Sequence, residues 1–576
     1  VACSMLEGSV NTGATEYFLC ILARRIGDYD TALVRLSRAL SYHSTSVFLY
    51  SELAFAFVSC KYHWQAWRLA SAILRCNKKS SPEWYLLASI HYDFKRFEQS
   101  EYCARQAFAL APESKLIATL LGGTLCEQSK IDEGIAFLRK GIKNKEVDYS
   151  LMTGLGFIMS HSAEASLNDI LEVHHDYASA VKKWAQKQRF SGYFNKNKDP
   201  ARKLRIGFVS GDFRDRHPVS FFFSPIWHSL DREKCELFAY SNIQASHENE
   251  GTERFKKTAD HWRNVRHISD LEMAEMIKLD EIDILVDLSG YTSDHRLPVF
   301  ALKPAPVQIS WVGYHATTGL EAMDYYATIF PVKKSAELEA QFSEKLIYMY
   351  LPKNFDQADD RIAVNTLPAL RNGFFTFGSF NRTNKLNDRV FDAWASVLKN
   401  VPNSRMVVGN MPKSVWDNVT LQFTRRGIHT SRFELRELVD MNTYLSYHHD
   451  VDLLLDTFPF TGGTVTSHAA WMGVPTVSYA GETLVSRQGA AIMYSLGFPQ
   501  FVAENIEEYV NIAVQWADKK EELNKIRQSL RSRMNIQSDT KLQIGRMVEE
   551  MFRTCWKIYC DGKQPESFSI GELPNI

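Results

Sequence analysis

VDLLLDTFPFTGGTVTSHAAWMGVPTVSYAG, residues 451–481, places two short apolar runs on either side of a turn built from glycine and small hydroxyl residues. VDLLLD reads as a buried strand, VPTVSYAG as another, and the compact apolar segment around Ala469 and Trp471 as the helix packed behind them. Strand, turn, helix and strand form the unit of a parallel α/β sheet. Two adjacent glycines at a helix start let backbone amides approach a ligand closely, at the positive end of the helix dipole. An anion such as a diphosphate is what that arrangement suits.

The same form recurs on both sides. KLRIGFVSGDF (203–213), CELFAYSN (235–242) and IDILVDLSGY (282–291) make one set of strands, and FTFGSFN (375–381) and SRMVVGN (404–410) join 451–481 in a second. Helix-length segments separate them, and past residue 203 the apolar period changes from helical to alternating. Two Rossmann-like α/β lobes are therefore expected, with ligands beyond the carboxyl ends of the strands and in the cleft between lobes.

The first third repeats every 34 residues. Cys20, Ala54, Ala88, Gly122 and Gly156 form one column; Ala32, Ala66, Ser100 and Gly134 another; Ala39, Ile73, Ala107 and Gly141 a third. That period belongs to tetratricopeptide helix pairs, and the small residues mark where the two helices of a pair must close on each other. Pro112 stops one repeat, and Trp84 takes the consensus tryptophan position. The expected organisation is an α-solenoid over 1–160, a helical linker over 161–203 ending in the polar stretch QRFSGYFNKNKDPARK, a first lobe over 204–364 and a second over 365–576.

Equal numbers of basic and acidic side chains, 67 each, give no bulk reason to expect nucleic acid or an anionic membrane as partner. Nine scattered cysteines without a CxxC pair indicate neither a zinc site nor a disulfide framework, so the expected compartment is reducing and cytoplasmic. No apolar run is long enough for a membrane span, and no signal peptide opens the chain. A start at Val1 suggests a longer parent chain.

FGSFNRTNKLND (377–388) ends a strand and starts a helix, bringing Arg382 and Lys385 to the mouth of the second sheet beside the glycine turn. Lys385 is the expected charge that stabilises a departing diphosphate. His217, on the loop after the first strand, is placed to exchange a proton near neutral pH. Asp212 and Asp215 lie near it, and no spacing marks either as catalytic.

SGDFRDRHPVS, ILVDLSGYTSDHRLPVFALKPAPVQISWVGYHATTGLEAMDYY, FGSFNRTNKLN, LLLDTFPFTGGTVTSHAAWMGVP and AGETLVSR resemble the blocks of the protein O-GlcNAc transferase and SPINDLY family over about 203–560. The resemblance implies a GT-B fold and an inverting, metal-independent glycosyltransferase. It would move a sugar from a nucleotide sugar, UDP-GlcNAc as first choice, to Ser or Thr of a protein or peptide acceptor. GDP-fucose or UDP-glucose as donor, or a decayed scaffold, are the alternatives; no cofactor is implied. By the same resemblance His217 is the active-site histidine and Lys385 the phosphate-binding lysine. Gly462, Gly463, Thr464, Val465 and Thr466 lie along the diphosphate, and Thr317 and Thr318 line the opposite wall. Arg382 stands where relatives carry glutamine, Asn384 where they carry tyrosine, and Tyr444 where a base-contacting histidine is found. His468 replaces a ribose-binding carboxylate, and His315 a common proline. The asparagine ladder of the animal enzymes' repeat groove is absent, its positions falling on Phe18, Glu52, Leu86, Leu120 and Gly154.

Overall fold

The computed structural model describes residues 13–25, 29–43, 47–59, 62–142, 149–194, 197–352, 355, 361–534 and 538–573. The chain divides into two compact units, Val1–Val147 and Asp148–Ile576.

The first unit is an α-solenoid of helix pairs: α1 (Gly13–Arg25) with α2 (Tyr29–Tyr42), α3 (Val47–Ser59) with α4 (His63–Cys76), α5 (Ser81–Asp93) with α6 (Phe97–Leu110), and α7 (Lys115–Glu127) with α8 (Ile131–Ile142). The repeat columns lie where the members of a pair touch. A Cβ on Gly134 would come within 2.7 Å of the Gly122 carbonyl, and one on Gly122 within 2.7 Å of the Leu138 side chain, so α7 and α8 have no room for alanine at their crossing.

The 34-residue step continues to Gly156, but α9 (Tyr149–Met159) belongs to the second unit. A Cβ on Gly156 would lie 2.8 Å from the Tyr291 ring. α9 and α10 (Leu167–Lys187), expected to mark the end of the solenoid and a linker, are thus built into the body that carries the sheets. His174 of α10 fixes them there. Its Nδ1 faces the Ile170 carbonyl at 2.6 Å and must donate, which leaves Nε2 to accept the Tyr314 hydroxyl at 3.0 Å while the ring stacks on Tyr291 at 4.5 Å.

Two parallel sheets follow. The first contains β1 (Leu204–Ser210), β2 (Cys235–Ser241), β3 (His261–Asn264), β4 (Ile284–Asp287), β5 (Val307–Trp311), β6 (Tyr325–Ala327) and β7 (Lys345–Met349). A last strand, β14 (Phe568–Ile570), completes it in the order β14-β7-β6-β5-β4-β1-β2-β3. The second sheet is β10-β9-β8-β11-β12-β13, from β8 (Phe375–Ser379), β9 (Ser404–Met411), β10 (Phe433–Glu437), β11 (Leu453–Leu455), β12 (Thr476–Tyr479) and β13 (Val502–Ala503). Helices cover both faces, so β4, β5 and β8 are buried at every residue instead of alternately, and their sequences read as apolar runs. The order of the second sheet reverses direction between β8 and β11, which places the ends of both strands at one crevice. A long helix after the second sheet, Ser538–Cys560, returns to the first lobe, where Glu549 accepts the Asp231 backbone N–H at 3.0 Å.

Candidate active site

Lys385 closes a single 3₁₀ turn, Thr383–Lys385, between β8 and the helix that follows. Its Nζ donates to the Thr461 carbonyl at 2.9 Å and lies 4.4 Å from the centre of the Phe460 ring. The residue that opens this turn, Arg382, is exposed, and Asn384 is buried with its Oδ1 unpartnered. Burial first, opposed by the Asp456 carboxylate and reinforced by Arg382, brings Lys385 down to about 7.

Asp456, the first residue after β11, organises the glycine turn. Its Oδ1 accepts the Gly462 N–H at 2.8 Å and the Thr457 N–H at 2.9 Å, and its Oδ2 accepts the Ser478 hydroxyl at 2.8 Å. The amide of Gly462 is therefore occupied inside the protein, contrary to a reading in which both glycines exist to meet a ligand. A Cβ there would also come within 2.8 Å of Thr466 Oγ1 and 3.1 Å of Asp456 Oδ1. Gly463 precedes the next helix, Thr464–Trp471, and a Cβ on it would meet Gln488 Oε1 at 2.7 Å. The first N–H groups of that helix have no intrahelical acceptor and form the amide-lined surface. Thr464 and Val465 are half-buried at this edge; Thr466 and His468 are buried.

His217 precedes the helix Pro218–Ser229 at the carboxyl edge of β1. Its Nε2 lies 3.4 Å from Asp212 Oδ1, and its Nδ1 is buried without a partner. Burial, then Arg214, Arg382 and His247, push this imidazole down to about 3, so it is neutral at physiological pH and does not titrate there as its sequence position suggested. Asp212 itself is raised by burial to about 6.

His161 and His315, neither assigned a role from sequence, complete this end of the site. His161 follows α9 and stacks on Phe460 at 4.1 Å; burial, then Lys385, bring it to about 3. His315, in the loop after β5, is held near 4 by burial and then Lys385. These imidazoles report one physical fact: a buried, electropositive space in which the carboxylate facing Lys385 is already bonded to its own turn.

The other end of the second lobe differs. Tyr444 packs against Phe380 at 5.9 Å, His448 at 5.2 Å and His468 at 5.5 Å, and Phe221 and Phe355 lie 5.1 and 5.4 Å from His468. The Tyr444 hydroxyl, His448 Nε2 and His468 Nε2 are all buried without partners. Burial alone lowers His468 to about 4.

The polar groups of Thr317 and Thr318, expected to line the opposite wall, are engaged within the protein. The Thr317 hydroxyl donates to Glu344 Oε2 at 2.6 Å, and the Thr318 N–H donates to Glu344 Oε1 at 2.7 Å. Both threonines satisfy a buried carboxylate 26 to 27 residues away, a partner that local sequence does not reveal.

A family model described as glycosyl transferase family 41 matches residues 174–372 and 363–542. The probable UDP-N-acetylglucosamine–peptide N-acetylglucosaminyltransferase SPINDLY of Petunia hybrida is 32% identical over 425 residues, covering 71% of this chain and 44% of that protein. The SPINDLY protein of Arabidopsis thaliana is 33% identical over 424 residues, covering 71% and 45%. The chain thus spans less than half the length of these curated relatives. Among solved structures, a mutant of the Thermobaculum terrenum O-GlcNAc transferase superposes with a TM-score of 0.79 at 27% identity, covering 90% of this chain and 98% of that one.

Proposed function

Because the chain belongs to glycosyltransferase family 41, we propose that it transfers a sugar, GlcNAc from UDP-GlcNAc as first choice, to Ser or Thr hydroxyls of a protein acceptor, with inversion and without a metal. The observation that carries this reading is the buried space around Lys385, closed on one side by a helix start, whose one facing carboxylate among the described residues, Asp456, is already bonded to its own turn. The acceptor oxygen attacks the anomeric carbon, and the bond to the diphosphate breaks with its electron pair going to the phosphate oxygen. Lys385 and the first amides of the helix Thr464–Trp471 hold the charge that develops there, which a preorganised site stabilises without reorientation.

His217 accepts the hydrogen of the acceptor hydroxyl at its unpartnered Nδ1. Asp212, 3.4 Å from Nε2, then favours the imidazolium formed if the proton moves fully. The nucleoside occupies the aromatic end, where Tyr444, His448 and His468 offer polar atoms that the protein leaves unmatched. The test is transfer from UDP-GlcNAc to a Ser/Thr peptide in the presence of EDTA, with the product anomer read by NMR. A β-linked product formed undiminished by the chelator is expected; an α-linked product, or loss of transfer on chelation, refutes the mechanism. GDP-fucose and UDP-glucose run beside it identify the donor.

A further inference from the structure

We propose that Phe460 is a positioning residue: its ring fixes the Lys385 ammonium where the leaving diphosphate gathers charge, and the end of α9 fixes the ring. The inference rests on the donor-binding reading above and adds how the lysine is aimed. A lysine head on four rotatable bonds is otherwise a poorly directed cation. Here one N–H is tied to the Thr461 carbonyl at 2.9 Å, and the aromatic face of the preceding residue lies 4.4 Å away, which leaves the other two N–H groups for a ligand.

The ring has little freedom. His161 stacks on it at 4.1 Å and 26°, and Phe157 meets it at 6.1 Å and 61°, both from α9 and its end. The backbone around it is pinned as well: the Thr457 hydroxyl donates to the Phe460 carbonyl at 2.8 Å and Asn387 Nδ2 to the Phe458 carbonyl at 2.6 Å. α9 is also fastened to the first lobe, where the Phe157 ring packs against Tyr314 at 6.1 Å and Gly156 lies against the Tyr291 ring. One helix therefore connects the loop that carries His315 with the ring beneath the catalytic lysine.

The ring favours the charged form of Lys385, as does Asp456; Arg382 on its own turn, and any protonation of His161 or His315, oppose it. Titration calorimetry of UDP and GDP between pH 5.5 and 9 separates these contributions. Phe460→Leu is expected to weaken nucleotide binding about 3- to 10-fold and to move the pH at which affinity falls downward by about half a unit. Phe460→Tyr, which keeps the ring, restores both, and Phe460→Met serves if the leucine variant fails to fold. An unchanged midpoint in folded Phe460→Leu or Phe460→Met, or a tyrosine variant that behaves like them, overturns the proposal. Wild-type protein that binds neither nucleotide at any pH removes the donor-binding reading itself, and this inference with it.

Discussion

The two ends of the second lobe's crevice both hold neutral imidazoles, for different reasons. At the Lys385 end, His161, His217 and His315 are lowered by burial and then by the cations around them. At the Tyr444 end, His468 is lowered by burial alone, among aromatic rings. The first environment has surplus positive charge and suits an anion. The second has surplus hydrogen-bonding atoms without charge and suits a flat heterocycle. Similar residue types thus sit in two different environments, and the neighbours decide which.

Lys385→Ala tests the contrast most severely. It should lower transfer about 100- to 1,000-fold while the aromatic end keeps its packing. Lys385→Met should melt no lower than wild type below pH 7. The reason is the sign of the shift: a lysine whose folded value is depressed to about 7 burdens the native state fully below that pH, and the burden fades as pH rises toward the unfolded value. A methionine variant that is less stable than wild type at pH 6 would show that the charge is well solvated and the site not electropositive.

His468→Asp is the next largest. Among Phe221, Phe355 and Tyr444 a carboxylate finds no cation, so about 3 kcal/mol of stability should be lost at neutral pH and largely recovered near pH 4, where the acid is protonated. Chemical denaturation at the two pH values reads this directly. Equal stability at both would mean the pocket is wetter than its burial implies.

Tyr444→Phe carries the smallest effect. Removing a buried hydroxyl that has no partner should leave the unliganded protein as stable or up to about 1 kcal/mol more so, while nucleotide affinity drops about 3- to 10-fold. If melting falls and affinity holds, the hydroxyl serves the fold and not the ligand.

Much of this was legible in the sequence. The repeat columns identified the solenoid because helix crossings demand small residues at a fixed period, and LLLDTFPFTGG and FGSFNRTNK marked two strand ends that run into helix starts because such junctions have local signatures. What escaped were pairings over long separations. Glu344 claims Thr317 and Thr318, Asp456 claims the side chain of Ser478, and His161 reaches Phe460 across some 300 residues (460 − 161 = 299). The first residue of a segment that looks like a linker thus lies beside Phe460 and Lys385, since local periodicity says nothing about which distant surface a turn will meet.

The parallel pairing of β14 with β7 has a consequence for how the protein is made. Phe568 follows Met349 by 219 positions (568 − 349), so on a ribosome β7 is finished roughly 10–45 s before the strand that covers it appears. Throughout that interval the nascent first lobe presents a bare edge to every other unfinished polypeptide nearby. Chaperone protection during synthesis, and poor recovery when residues 561–573 are deleted, are the expected signatures of a lobe whose border is sealed last.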